Sequence, residues 1–221
     1  MNSSLPFCIF FLFVISACIK VSLADCDNLQ DICPTAPGKR TIFINGFPCK
    51  DPATINASDF RSSKVSRAGD TDNFFGSAVN IVTAEEFIGL NTLGLSISRT
   101  DLAVDGLVPP HSHPRASEMF FVSKGLVVAG FIDTKNQLFQ KILSEGDVFV
   151  FPRGLLHFCL NIGFEAASAF SVHNGQNPGM VSINGAMFQP DIKMVDRLKK
   201  TLLSLSKLEV NRFENLTLPW F

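Results

Sequence analysis

The stretch "VPPHSHPRASEMFFVSKG", residues 108–125, places two histidines and a glutamate in an otherwise apolar segment. Successive side chains of a β-strand point to opposite faces, so His111 and His113 are expected on one face, about 7 Å apart along the chain. Imidazoles at that separation can turn their ring nitrogens toward one metal ion at about 2.1 Å. Glu118 begins the next apolar strand, where an ionised carboxylate facing a core is costly unless it is paired or metal-bound.

A second stretch, "GDVFVFPRGLLHFCLN" at residues 146–161, carries His157 inside another apolar strand. The chain has four histidines, and three of them fall in these two stretches. Taken singly, His111 and His113 fit exposed strand-edge positions and His157 fits a hydrogen-bonded core histidine. Taken together with Glu118 in one small domain, they predict a metal site. Three imidazoles and one carboxylate suit Mn, Fe or Zn.

The runs between the turn signals of residues 73–189 are short, apolar or alternating, and without helical periodicity. This pattern predicts an all-β sandwich or barrel over residues 64–190. Residues 25–63 are rich in Pro, Asp, Asn and Ser and are expected to form an extended arm. Residues 191–221 carry the apolar stripes of two helices, which are expected to pack on the barrel or on a neighbouring subunit. The fourth histidine, His173, is expected in a surface or turn position.

The N-terminal residues 1–24 are predicted to be a secretory signal peptide. Leu5–Ile19 is almost continuously apolar but short for a bilayer span, and residues 22–24 offer a small-x-small cleavage site. An uncleaved anchor is the alternative. Asn56 and Asn215 lie in Asn-x-Ser/Thr triplets, which are glycosylation sites in a secreted chain.

Cysteine usage agrees with export to an oxidising compartment. Beyond the signal the chain keeps four cysteines, which permit three full pairings: Cys26, Cys33, Cys49 and Cys159. Cys159 lies in the apolar run "LLHFCL" and is predicted to be a buried free thiol. Cys33–Cys49 is the preferred disulfide, and its loop of about seventeen residues is worth roughly 3 kcal/mol in the chain-entropy model. Cys26 then stays unpaired or bonds another chain.

Composition excludes several classes of function. The 221 residues are 46% apolar and 18% charged, as in a globular protein. Loss of the signal removes one lysine from the 19 basic side chains and none of the 20 acidic ones, which leaves a net charge of −2. No basic run is present to neutralise phosphates, so neither nucleic acid nor a membrane surface is an expected partner.

The two histidine-bearing stretches resemble the paired motifs of the cupin superfamily. The first has His-x-His, four residues, Glu, six residues and Gly125; the second has Gly146, five residues, Pro-x-Gly, two residues, His, three residues and Asn161. The chain further resembles the plant germins and germin-like proteins through "LQDIC", "SAVN", "NTLGLSISR", "PPHSHPRASE" and "QNPG". One departure is Asp105, beside Gly106, where the first motif usually has glycine.

This resemblance implies a secreted cupin jelly-roll barrel that holds Mn(II) on His111, His113, Glu118 and His157. It also implies a homohexamer, a trimer of dimers locked by C-terminal helices, and a disulfide between the cysteines that match Cys33 and Cys49. The expected location is the extracellular space, the apoplast and cell wall.

The resemblance further implies a choice of activities. A site charge near +1 favours a small or O2-derived anion, so superoxide dismutation with a role in plant defence is the leading hypothesis. Oxalate-oxidising germins are expected to bind their substrate through hydrogen bonds from two asparagine amides. The matching positions here are Ser98 and Val108. Efficient oxalate oxidase activity is therefore not expected. The alternatives are a non-enzymatic binding or receptor protein for an auxin-like acid or a wall partner and, ranked lowest, a nucleotide-sugar pyrophosphatase or phosphodiesterase.

Overall fold

The computed structural model describes residues 33–38, 46–183 and 185. Three short 3-10 segments, Pro52–Thr54, Ala57–Phe60 and Ile88–Leu90, precede or interrupt the strands. The described strands are, in chain order, β1 Ser77–Val82, β2 Ser96–Leu102, β3 Leu107–Ser112, β4 Glu118–Lys124, β5 Val127–Ile132, β6 Leu138–Leu143, β7 Val148–Phe151, β8 Leu156–Asn161, β9 Ala167–His173 and β10 Val181–Ser182.

The strands form two five-stranded antiparallel sheets, in the orders β1-β2-β9-β4-β7 and β10-β3-β8-β5-β6. The chain passes repeatedly from one sheet to the other, which is the connectivity of a jelly roll. The predicted all-β jelly-roll barrel is confirmed. In β4 and β9 the side chains two residues apart are buried and face the other sheet, as alternation in a strand requires.

The core lies between the two sheets. Strand β4 shows the alternation clearly, since Glu118, Phe120 and Val122 are buried while Met119 and Phe121 are exposed. The buried apolar cluster is drawn from both sheets: Leu102, Val108, Phe120, Val122, Val127, Ala129, Leu143, Phe151, Cys159, Ala167 and Ala169. A carboxylate therefore shares a strand face with the centre of the apolar core.

A bulge in β3 decides which way its histidine points. Val108 pairs with Cys159 and His111 pairs with His157, so the two prolines between Val108 and His111 oppose a single residue of β8. Proline has no N–H to donate to the ladder, which makes this the natural place for the irregularity. Three positions separate His111 from Val108, so in a regular strand without the bulge His111 would lie on the opposite face from Val108.

The turn before β3 accommodates the departure from the usual cupin motif. Asp105 adopts a left-handed backbone conformation with φ of 59°, which Asp tolerates better than most residues. Position 106 requires glycine, because a Cβ there would collide with the carbonyl oxygen of Gly76. The glycine is thus present where the backbones approach closely, and β3 begins undisturbed at Leu107.

A disulfide closes the described part of the arm on itself, and hydrogen bonds fasten it to the rest of the chain. Cys33 and Cys49 form the preferred disulfide. The fully buried amide of Asn91 donates to the carbonyls of Cys33 and Phe47 and accepts from the N–H of Phe47, each at 2.9 Å. One side chain therefore satisfies three backbone groups on both sides of the disulfide loop.

Several expectations fall outside the described residues: the signal at 1–24, Cys26, the helices of 191–221 and Asn215. Among the residues that the structure describes, no helix is long and apolar enough to cross a membrane.

We predict that Asn91→Ala lowers the free energy of unfolding by about 2 to 4 kcal/mol, because it leaves buried backbone groups unpaired. Asn80→Ala is the matched control, since the exposed Asn80 amide donates one hydrogen bond within the described part of the chain, to the carbonyl of Lys64 at 2.8 Å. Its expected loss is under about 1 kcal/mol. Urea denaturation measures both, and equal losses would contradict the role given to Asn91.

Candidate metal centre

Four side chains from three parts of the barrel converge on one point. His111 lies on β3, His113 just after it, Glu118 begins β4, and His157 lies on β8. Their ligand atoms all lie within 4.8 Å of one another, and each residue is at most 7% exposed. The structure thus brings together all four side chains that the sequence nominated as metal ligands.

Backbone carbonyls set the tautomers of the three imidazoles. The Nδ1 atoms contact carbonyl oxygens as follows: His111 with Pro109 at 3.0 Å, His157 with Leu155 at 3.0 Å, and His113 with Gly179. A carbonyl oxygen only accepts, so each Nδ1 must donate. The lone pair is then left on Nε2, which is the arrangement a metal-binding histidine needs.

Lone pairs of the four converging side chains face one another, so the point where they meet favours a positive charge. Glu118 Oε2 lies 3.2 Å from His157 Nε2 and 3.3 Å from His113 Nε2. With neutral imidazoles these atoms are all acceptors, and Glu118 Oε2 and His157 Nε2 have no hydrogen-bond partner among the described residues. Facing lone pairs repel unless a proton or a metal ion lies between them. The residues present therefore fit a bound cation.

The pKa shifts describe the site without metal. Burial favours the neutral form of Glu118, but the imidazoles of His113, His157 and His173 outweigh it and hold the pKa of this carboxyl well below its usual range. Burial, followed by the neighbouring His157, lowers the pKa of His111 to about 4. Burial also acts to lower the pKa of His113, but its contacts with Glu118 and the Gly179 carbonyl raise it overall. A proton on His113 thus supplies part of the missing charge.

The space beside the four ligands is small. The central cavity measures about 10 Å³, close to the minimum that holds one water molecule. Ser98 and Val108, the two pocket positions singled out in the sequence, both line it, as does Thr100. A larger cavity of about 350 Å³ shares Val79, Val108 and His111 with the central one. The ligand His111 therefore borders both cavities.

Comparisons with known proteins agree with this geometry. The sequence profile of the cupin family matches residues 63–201. The chain is 59% identical over 197 residues to germin-like protein subfamily 3 member 4 of Arabidopsis thaliana, covering 87% of this chain and 93% of the relative. The chain belongs to the germin-like proteins of the cupin family.

Two further matches extend the comparison. Germin-like protein 11-1 of Oryza sativa subsp. japonica is 56% identical over 200 residues, with 90% of each chain covered. A solved structure of recombinant oxalate oxidase in complex with glycolate matches this germin-like protein with a TM-score of 0.74 and 38% identity, covering 81% of this chain and 91% of that one. The barrel is therefore that of the family.

His173 of this germin-like protein is placed differently from the sequence expectation, which was wrong. It is fully buried at the end of β9 and pairs directly with Glu118. The available signal was the alternation in "ASAFSVHN", where Ala167, Ala169, Ser171 and His173 share the buried face. The turn segment "QNPG", which follows soon after, favoured a surface or turn position instead.

Cys159 is the buried free thiol that its apolar run predicts. It lines the central cavity of this germin-like protein. Burial, assisted by the nearby Glu118 carboxylate, raises the pKa of the thiol strongly. Cys159 is therefore a thiol at neutral pH and not an activated nucleophile.

We predict that metal affinity rises with pH between about 5.5 and 6.5, because imidazoles bind metals in their neutral form. The raised pKa of His113 keeps a proton on it in this range, and a metal ion must displace that proton. Proton competition therefore weakens as pH rises, and the Kd for Mn(II), measured by chelator competition, should fall about tenfold per pH unit for one displaced proton. A Kd that is constant over this range would contradict the assignment.

Proposed function

We propose that this germin-like protein is a secreted cell-wall manganese protein with superoxide dismutase activity, without efficient oxalate oxidase activity, and with a role in plant defence. The observation that carries the proposal is the convergence of three Nε2 lone pairs and one ionised carboxylate on a cavity that holds about one water molecule. A manganese ion held there by His111, His113, Glu118 and His157 supplies one-electron redox chemistry and positive charge.

Charge and size both favour a small anionic substrate. A divalent ion with one carboxylate and three neutral imidazoles has a formal charge near +1, which attracts an anion. Dismutation converts two superoxide ions and two protons into dioxygen and hydrogen peroxide, so the site must admit a diatomic anion and a proton. The chain contains no tyrosine. A phenol relay is thus excluded, and water or a hydroxyl such as Ser98 or Thr100, which line the cavity, serves as the proposed proton carrier.

Oxalate is a poorer match to the same cavity. A dianion held in one pose needs hydrogen-bond donors, and Val108 has none, while Ser98 offers only a short hydroxyl. If both amide contacts of an oxalate-binding site are missing, at about 1.5 to 3 kcal/mol for each bond to a charged group, binding weakens by about 3 to 6 kcal/mol. That corresponds to roughly a hundredfold to ten-thousandfold in affinity.

We predict that His113→Ala and Glu118→Gln each lose manganese and superoxide dismutation in parallel, because the first removes a ligand and the second replaces the anionic carboxylate with a neutral amide. Glu165→Gln is the matched carboxylate control, since Glu165 is exposed and contacts only the exposed Lys124 among the ion pairs described, at 3.5 Å. It should keep both metal and activity. Metal analysis and a dismutation assay on the same preparations provide the measurement.

Two outcomes would contradict this function. Dismutation that persists after manganese is lost would place the activity elsewhere, and a manganese-loaded wild type without dismutation would favour the non-enzymatic binding alternative. The same wild-type preparation, supplied with oxalate, should form hydrogen peroxide no faster than the His113→Ala variant. Peroxide formation at the rate of an oxalate oxidase would overturn the assignment of Ser98 and Val108.

Export, glycosylation and assembly belong to the same proposal. Disulfides such as Cys33–Cys49 form and persist in an oxidising compartment, which supports export. Asn56, the described glycosylation position, is exposed. The outer face of the β4, β7 and β9 region exposes apolar side chains that a homohexamer, a trimer of dimers, would help to cover: Met119, Phe121, Val148, Val150 and Val172.

We predict that the protein secreted from plant cells begins at Asp25 and carries a glycan on Asn56, because residues 1–24 have the pattern of a cleaved signal. N-terminal sequencing gives the first residue, and the mass before and after enzymatic deglycosylation reports the glycan. Asn56→Gln should remove one glycan. A retained Met1 in membrane-bound material would instead support the anchor.

Light scattering of the purified protein should give the mass of six chains, as the proposed homohexamer requires.

A further inference from the structure

His173 is a buried imidazole that makes no hydrogen bond to any residue the structure describes. Its side chain is 0% exposed, and neither ring nitrogen has a partner among the described residues. Buried polar groups in native structures are nearly always hydrogen-bonded, so an unpartnered imidazole in the barrel needs an explanation. A leucine would fill similar space at this position without leaving any polar atom unsatisfied.

The position of His173 relative to the ligands supplies that explanation. Strand pairing sets His173 directly opposite Glu118, and its Nε2 lies 3.7 Å from Glu118 Oε2. Its ring also meets the ring of His113 edge-on, with centroids 4.7 Å apart. His173 is not one of the four residues whose ligand atoms converge. It therefore lies beside Glu118 and His113, outside the ligand group itself.

Only a small movement separates His173 from a hydrogen bond with the carboxylate. A charge-assisted N–H···O bond measures about 2.7 to 2.9 Å, so a closure of about 0.8 to 1 Å suffices. His113 and His157 turn their Nε2 lone pairs to the centre when they bind a metal, and their Nδ1 atoms already donate to backbone carbonyls. Among the described imidazoles, His173 alone then has an N–H to offer Glu118.

We infer that His173 is a positioning residue for the metal centre: its Nε2–H donates to the Glu118 carboxylate and orients that carboxylate toward the metal ion. The inference rests on the proposed metal site and adds a member to it. Hydrogen bonds to ligating side chains hold their orientation, and their loss commonly costs 10- to 100-fold in metal affinity.

The test compares two replacements of His173 in the full chain. His173→Leu removes the donor and keeps much of the volume, whereas His173→Gln keeps an N–H near the position of Nε2. We expect His173→Leu to weaken Mn(II) binding by about 10- to 100-fold in chelator competition and His173→Gln to recover most of that loss. The electron paramagnetic resonance spectrum of bound Mn(II) should change in His173→Leu and return toward wild type in His173→Gln.

A purely structural role makes a different prediction. In that case His173→Leu would change the Tm of the metal-free protein but leave Mn(II) affinity and the resonance spectrum as in wild type, and this outcome would overturn the inference. Should His173→Leu not fold, His173→Asn replaces it, because its shorter amide cannot reach the same place and should bind Mn(II) as weakly. Wild-type affinity in His173→Asn would equally overturn it. A wild-type protein that binds no Mn(II) refutes the proposed function instead.

Discussion

The structure depends on a carboxylate buried in the core of a β-barrel. Glu118 is 6% exposed and shares the inner face of its strand with Phe120 and Val122, where an unpaired negative charge is costly. Surrounding imidazoles hold its pKa low, so the group stays ionised and needs a cation nearby. The three imidazoles that converge on this carboxylate and the buried His173 beside it all lie around that charge.

Hydrogen bonds to backbone carbonyls orient the three imidazoles in the metal-free protein. Two of the imidazoles donate Nδ1–H to the carbonyl two residues earlier, so local strand geometry itself orients His111 and His157. His113 instead uses Gly179, from the "QNPG" segment after β9. These hydrogen bonds occupy Nδ1 and fix each ring with its Nε2 lone pair pointing inward. Little side-chain entropy is therefore left to lose when a metal ion binds. Preorganisation of this kind is a property of the barrel rather than of any one motif.

The sequence predicted the strands, the disulfide and the four converging side chains, because each has a local signature. Alternation marks β4 and β8, and the number of His and Glu residues in two apolar stretches marks the site. It mispredicted His173, since burial there depends on pairing with Glu118, which is distant in the chain. Alternation alone would also have turned His111 outward relative to Val108, and only the bulge at the two prolines restores its direction.

By itself the sequence determined the fold class and which residues carry metal-binding chemistry, because periodicity and residue type are written along the chain. The tertiary structure alone decided how those residues face one another. Strand register placed His173 against Glu118, and the packing of Val108, Ser98 and Phe151 around the ligands limited the central cavity to about 10 Å³. Both depend on contacts between distant segments, and no local pattern encodes the distance between side chains that meet only when the two sheets close.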